Sequence, residues 1–426
     1  MGITRLRLSN FKSFESLDLE LGQFTVVVGA NGAGKSNLIS VFKFLRDISA
    51  SGLDNAISLQ GGVQFLRNVR LGPSVPLCIE ITADSPAPPS HPLYRQRPDS
   101  DTFFSVAASR TTYRFVIEFA SRGAKFSIAE EDLTQRWELQ EYEQVRRRVP
   151  LEMRRTGQAE FRLCRENGRY RNTLNLPEDL ADFEEALLPY GSFMPVPGGR
   201  ALLLEEGPFF FVPEWTHNFA STAVYDIDPK LPKKAVPITG KAELEEDGSN
   251  LAIVVSNVIR RHESRRQLSN LIQDLLPFVD RVGVERFADT SLLFKTGESY
   301  SPGVSFPASL LSDGTIHVTA LLIALFFEQK SFAIIEEPER NLHPFLISRL
   351  IGLMREAAAS KQILATTHNA EVIKHAGEEN VLLMRRTADG FTIAERPLDI
   401  EAVQRFLDQE LGLEELYVQN FFAGLK

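Results

Sequence analysis

The sequence predicts an α/β protein with a central, mostly parallel sheet, a flanking antiparallel β-lobe and a helical arm. Three observations predict it. An uncharged β-rich run, Phe24 to Val28, leads through a glycine loop into helical periodicity, as a buried parallel strand followed by its crossover helix should. Two more apolar runs, Phe332 to Ile335 and Gln362 to Thr367, end abruptly on the polar residues Glu336-Glu337 and His368. Between about 52 and 300 the pattern changes to short strands separated by turn residues, which reads as antiparallel sheet. The expected division is an N-terminal lobe over residues 1–240, a helical arm over 241–305 and a C-terminal lobe over 306–426.

Taking the elements in order, Ile3, Arg5 and Arg7 alternate with Thr4, Leu6 and Leu8, and Leu17, Leu19 and Leu21 alternate with Asp18 and Glu20, so two half-buried strands precede the core strand. Asn10-Phe11-Lys12-Ser13-Phe14 joins them, with Lys12 on the turn. Next comes Gly29-Ala30-Asn31-Gly32-Ala33-Gly34-Lys35-Ser36, which has the spacing Gly-x-x-x-x-Gly-Lys-Ser. Leu38, Val41, Phe42 and Leu45 then fall on one helical face. With strand, spacing and helix all in place, the loop reads as a phosphate cradle rather than a plain glycine-rich turn. Gly29, Gly32 and Gly34 allow backbone angles that turn successive N–H groups inward, and the positive helix end adds attraction. Lys35 would reach the β- and γ-phosphates, and Ser36 would offer its hydroxyl to Mg²⁺. Asn31 and Asn37, within and just after the loop, join the candidate nucleotide contacts.

The middle of the chain is read more coarsely. Prolines between Ser85 and Pro98 predict an exposed loop. Tyr113–Phe119 and Ala124–Ile128 read as strands around Ser121-Arg122-Gly123, and Phe161–Leu163 before Asn167-Gly168 as part of another hairpin. Arg146-Arg147-Arg148 with Arg154-Arg155, and Arg260-Arg261 with Arg265-Arg266, read as solvated faces. Asn250–Ile259 and Gln267–Leu276 have helical periodicity, stopping at Pro277. No heptad pattern persists, so no coiled-coil rod is expected.

Ser312-Asp313-Gly314 precedes the apolar helix Ile316–Phe327, and such a helix start suits an anion, although Ser-Asp-Gly is also an ordinary cap. The adjacent carboxylates Glu336 and Glu337 at the end of a buried strand are costly unless they act on a cation or a proton. His368 stands at the carboxyl end of another strand, where ligands bind in open α/β sheets. A strand Val381–Met384, a turn at Asp389-Gly390 and an amphipathic helix from Ile400 follow.

Composition bounds the partners. The chain has 426 residues, a formal net charge of −9 and two cysteines, Cys78 and Cys164. Two cysteines cannot build a disulfide framework or a cysteine zinc site, and both read as small apolar residues. The net charge argues against coating DNA by charge alone but leaves room for a local basic face. With no membrane-length apolar run and no signal-peptide pattern at Met1–Arg5, a cytoplasmic protein is expected.

Phosphate loop, Leu311-Ser312-Asp313-Gly314, Glu336-Glu337-Pro338 and Thr367-His368, in that order, resemble the head of ABC-type ATPases. More specifically, they resemble compact AAA-family ATPases related to RecF, to structural-maintenance-of-chromosomes proteins and to overcoming-lysogenization-defect proteins. The entry segment around Lys12 resembles the same groups. The resemblance covers most of the chain, weakly between about Gly52 and Tyr300. It implies a P-loop NTPase fold that binds ATP and Mg²⁺ and hydrolyses ATP. In it Lys12 becomes a phosphate contact, Lys35 and Ser36 the phosphate and Mg²⁺ contacts, and Glu337 the base that polarises the attacking water. His368 would steady the γ-phosphate, and Ser312 with Gly314 would touch the γ-phosphate bound by the other subunit of a dimer. Glu336 departs from the usual Asp at the magnesium-linked position, and His343-Pro344 stands where many such heads have Leu-Asp. The family's glutamine loop falls on Gln60, Gln64, Gln140 or Gln144. The residues after His368 are too few for the nuclease domain of overcoming-lysogenization-defect proteins, so a separately encoded nuclease or other effector, or DNA, is the expected partner, in genome maintenance or anti-phage defence. A nucleotide-gated scaffold with little turnover is the alternative, and a transporter ATPase subunit the less favoured one. The apolar surplus between Glu401 and Phe422 would either dock that effector or close the core.

Overall fold

A computed structural model of the chain describes residues 2–85, 93–96, 102–143, 152–166, 169–183, 193–195, 201–205, 219–287, 290–407, 412–419 and 421. These form two compact units, each gathered from separated stretches. The first takes residues 1–21, 40–220 and 388–393, and the second takes 22–39, 221–387 and 394–426.

The first unit is built on an antiparallel sheet. Its nine described strands run in the order Phe193–Pro195, Arg169–Asn175, Glu152–Glu166, Phe126–Glu143, Thr102–Phe119, Leu77–Asp84, Gly2–Phe11 and Phe14–Glu20, with Leu93–Gln96 also paired to Thr102–Phe119. The predicted alternation of the first strand holds from Arg5 onward, with Leu6 and Leu8 buried. A register slip between Ile3 and Arg5 lets Ile3 join the same buried face. Arg5 and Arg7 stay on the exposed face and share Asp18. Two strands expected as short runs are each 18 residues long, Thr102–Phe119 and Phe126–Glu143. Part of the stretch expected as a proline-rich loop, Leu93–Gln96, is a strand paired with Phe103–Val106. Residues 86–92 and 97–98 of that stretch, the turn Asn167-Gly168, Arg146-Arg147-Arg148 and Gln144 lie outside the described residues. A buried carboxylate ties this unit together. Glu131 accepts from Tyr113 Oη at 2.5 Å, Tyr170 Oη at 2.6 Å and the Leu203 N–H at 2.6 Å, while burial pushes its pKa upward.

The second unit holds the parallel sheet. Thr222–Tyr225, Phe332–Glu336, Gln362–Thr367, Phe24–Val28 and Val381–Arg386 are parallel neighbours in that order, within a six-stranded sheet. Phe24–Val28 and Gln362–Thr367 are buried at every position, which is why they read as continuous apolar runs rather than as alternation. Their carboxyl ends all lie along one edge of the sheet. A third, small antiparallel sheet contains Val236–Pro237, Ser291–Glu298, Val279–Phe287 and Ser305–Pro307. The segment expected as a helical arm holds helices Leu251–Ile259 and His262–Leu275 and then the Val279–Phe287 and Ser291–Glu298 hairpin of this sheet. Arg260, Arg261, Arg265 and Arg266 are exposed on it, as a solvated face should be.

Toward the C-terminus, two short helices, Glu401–Leu407 and Leu413–Val418, stand where one amphipathic helix was expected. Val403, Leu413 and Leu416 are sunk in the core of the second unit, and Phe406, Leu407 and Phe421 pack against it. Most of the described apolar surplus packs on the core, Val418 is exposed, and Leu411 and Phe422 lie outside the described residues. Among the described residues no helix is long and apolar enough to cross a membrane.

Candidate functional site

The five parallel strands each deliver a polar residue to the same edge of the sheet. After Val28 the chain turns through the glycine loop into helix Lys35–Ser51. Gly32 and Gly34 hold φ of 80° and 110°, angles that favour glycine. Gly29 is required for another reason than backbone angle. A Cβ there would stand 2.5 Å from the Met384 carbonyl oxygen of the neighbouring strand, so the first glycine serves close packing.

Asn31, Gly32, Gly34, Lys35, Ser36 and Asn37 face Glu336, Glu337, Arg340, Thr366 and Arg386 across a cleft of about 250 Å³. Lys35 Nζ lies on the carbonyl oxygens of Gly29 at 2.6 Å and Ala30 at 3.2 Å. Burial lowers its pKa, and Glu337, Glu339 and Glu336 oppose that shift by holding positive charge in place. The cleft thus sets three cations, Lys35, Arg340 and Arg386, against two carboxylates, a balance suited to a polyphosphate carrying a divalent ion.

Glu336 ends the strand Phe332–Glu336, and Glu337 leaves it with φ 45°. A non-glycine residue in this region is strained, and the surroundings hold it there. Its N–H donates to the Thr366 carbonyl at 2.9 Å. His368 Nδ1 lies 2.8 Å from Glu337 Oε1, and Arg340 reaches Oε2 through Nη2 at 3.2 Å and Nε at 3.3 Å. Arg340 also donates to Asp226, just after Tyr225 of the outermost parallel strand, at 2.8 Å. Glu337 is thereby positioned from three strand ends. The histidine predicted to sit on phosphate is in hydrogen-bond contact with the predicted base.

Glu339, two residues on, is buried. Thr367 Oγ1 donates to its Oε1 at 2.5 Å while Oε2 has no partner, and burial raises its pKa. His317, from helix Asp313–Phe326, is also buried, with Nε2 3.0 Å from the Pro338 carbonyl oxygen. Desolvation takes its pKa down to about 4. Asn341, at φ 62°, brings its carbonyl so close to Gly314 that a Cβ there would stand 2.8 Å away. The helix bearing Ser312 and the loop bearing Glu337 are therefore packed as one body.

Ser312 is the N-cap of that helix, accepting from the Thr315 N–H at 3.1 Å, and it is exposed. Neither Ser312 nor Gly314 lines the cleft of its own chain. Lys12 belongs to the other unit, on the turn between the first two strands with φ 48° and its pKa lowered by burial. It is not among the residues of the cleft. The same is true of Gln60, Gln64 and Gln140. His343 caps helix Pro344–Ala358, its Nδ1 accepting from the Phe345 N–H at 3.3 Å.

Two site residues escaped the sequence reading. Arg386 ends the strand beside the phosphate-loop strand and donates through Nε to the Gly32 carbonyl at 2.9 Å. Its position at the end of an apolar run was the available signal. Arg340 had a weaker one, three residues after Glu337 beyond a proline.

For a magnesium ion the fit is that of a partial ligand set. Among the described residues no group of three or more His, Cys, Asp or Glu side chains could hold a metal unaided. Ser36 and Glu336 line one cleft, and Mg²⁺ characteristically takes one or two protein ligands with phosphates and water completing its shell.

No curated protein matches the chain. Among solved structures, it is similar to an Smc head bound to the C-winged helix domain of ScpA, at 15% identity over 93% of this chain and 98% of that one, with a TM-score of 0.48. It is similar to the SMC head domain from Thermotoga maritima at 15% identity, over 93% and 99%, with a TM-score of 0.37. A third is the Smc head domain with an extended coiled coil bound to the C-terminal domain of ScpA, derived from Pyrococcus furiosus, at 14% identity over 92% and 96%, with a TM-score of 0.41. Likenesses this distant carry no weight of their own. A family model described as "AAA domain, putative AbiEii toxin, Type IV TA system" matches residues 24–150 and 195–374. Phosphate loop, acidic strand end and histidine strand end all fall within those bounds, in a P-loop sheet whose motifs follow the order of an ABC-type ATPase head, and the chain belongs to this family of AAA ATPases.

Proposed function

We propose that the chain is an ATP-binding and ATP-hydrolysing switch in which two copies close head-to-tail around two ATP molecules and reopen on hydrolysis. The observation that supports it is the single cleft in which Lys35, Ser36, Glu336 and Glu337 meet. The backbone of Asn31, Gly32, Gly34 and Asn37 cradles the phosphates and Lys35 neutralises them. Ser36 and Glu336 would hold Mg²⁺, which when bound neutralises phosphate charge. Glu337 orients and polarises the attacking water, with His368 fixing the carboxylate and standing beside the γ-phosphate. Ser312 and Gly314, outside their own cleft, serve the γ-phosphate of the second copy.

A second reading, a nucleotide-gated scaffold with slow turnover, is favoured by Arg340, which occupies Glu337 Oε2, and by Glu336 in place of the shorter Asp. In either case closure would be passed to DNA or to a separately encoded effector such as a nuclease, in genome maintenance or defence. The family's description, naming a toxin and a type IV TA system, supports the defence arm. The test is the mass of Glu337→Gln in sedimentation with and without ATP and Mg²⁺. Association only with ATP is expected, and an identical mass in both conditions would remove the composite site.

A further inference from the structure

The glycine loop has a second cavity beside it, within the same unit. It holds about 570 Å³ and is walled by Gly32, by Leu383, Met384 and Arg386 at the end of the strand Val381–Arg386, and by Tyr417 and Val418. Gly32 and Arg386 also line the phosphate cleft, so the two spaces meet at the loop. A polyphosphate held by the loop leaves the other end of its nucleotide to be housed, and that end is flat, aromatic and mostly apolar. It needs a cavity with apolar walls and a few polar groups, of which the second has both. The phosphate cleft has the opposite character.

The aromatic residues of the entry segment cannot supply the base contact. Phe11 and Phe14 are each 0% exposed, so neither offers a ring face to a ligand. Tyr417 is only half-buried, on helix Leu413–Val418, and the burial of Leu413 and Leu416 beside it anchors the helix that carries the ring. Arg386 is an exposed residue at the junction of the two spaces, and its Nε donates to the Gly32 carbonyl at 2.9 Å.

We propose that this cavity is the base subsite, taking the purine ring of the nucleoside triphosphate with Tyr417 as its aromatic contact, Leu383 and Met384 as its apolar wall, and Arg386 at the step from base to phosphates. This rests on the ATP-binding reading above. The C-terminal helix thereby becomes part of the nucleotide site, and the discrimination of a nucleotide from a bare polyphosphate resides there.

Calorimetric titration of ATP and of inorganic tripolyphosphate, on the full chain and its variants, separates the two levels. Tyr417→Ala should weaken ATP about ten- to a hundredfold, the range of a lost aromatic–base stack, and leave tripolyphosphate unchanged. Tyr417→Phe should keep ATP within about threefold, because the ring rather than the hydroxyl makes the contact. Lys35→Ala should lose both ligands. ATP binding no tighter than tripolyphosphate in the wild type, or unchanged in Tyr417→Ala, overturns the base subsite while the phosphate site stands. Failure of both ligands to bind the wild type overturns both readings. Irradiation of the wild-type protein with 8-azido-ATP gives the same answer without a variant. Label competed by ATP should fall within residues 383–386 or 413–418, and label confined elsewhere contradicts the assignment.

Discussion

Glu337 concentrates the constraints of the site. Its left-handed backbone costs on the order of 1–3 kcal/mol, and the Thr366 carbonyl, His368 and Arg340 together keep it there. The loop it opens is also held from beneath by His317, whose ring is buried and neutral. The pH consequence has a definite sign. An unfolded histidine takes up a proton as pH falls through about 6.5, whereas the folded His317 resists until about 4. Stability from this residue is therefore present above about pH 6.5 and is lost progressively between 6.5 and 4, by roughly 3 kcal/mol in all. The groups around it are the Pro338 carbonyl, Arg340 and Asp226. Urea midpoints measured across that range should fall less steeply for His317→Gln than for the wild type. Parallel curves would mean that the ring takes up a proton as readily in the fold as in the unfolded chain.

The helix Asp313–Phe326 and its cap belong to the next scale. It is buried from Thr315 through Leu325, so its position is set by packing and Ser312 is carried on a rigid mount. Ser312 has a capping task already, worth about 1 kcal/mol. Ser312→Asp separates capping from nucleotide contact, because an aspartate caps as well as serine but repels an anion. The urea midpoint should stay near that of the wild type while ATP hydrolysis falls by at least about tenfold if the charge meets a phosphate. Retention of both stability and hydrolysis would leave Ser312 as a cap alone. Elements of this kind were also the most legible in the sequence. The phosphate loop, Glu336-Glu337 and His368 are contiguous motifs at the ends of runs buried on both faces, so composition and position announce them together. Arg340 and Arg386 were not legible in the same way, since each acquires its partner only when separate strand ends converge. The long strands Thr102–Phe119 and Phe126–Glu143 were read short because charged and amide residues such as Arg110, Glu131 and Gln135 interrupt their apolar pattern. Glu131 and Gln135 are nevertheless buried, satisfied by partners far along the chain. Gly29 shows the same limit at one position, its need being set by Met384 rather than by its own backbone.

At the scale of the whole molecule, the residues of the phosphate cleft all belong to the second unit, while the first is built on the antiparallel sheet. Gly314 packs against Asn341 and His317 against Pro338, so in the proposed dimer the surface that would meet a second copy is tied to the loop that holds Glu337. If two copies close as proposed, ATP turnover at one site should register at the other, which is what a two-site switch requires. Both the switch and its partners depend on one claim, that ATP is bound in this cleft and hydrolysed through Glu337. Single-turnover hydrolysis of radiolabelled ATP by wild type and by Glu337→Gln, with binding measured on the same samples, tests it most directly. The wild type should release phosphate, and Glu337→Gln should bind ATP with similar affinity while hydrolysing it at least about a hundredfold more slowly. Equal rates in the two proteins, or no phosphate release by the wild type, would contradict it.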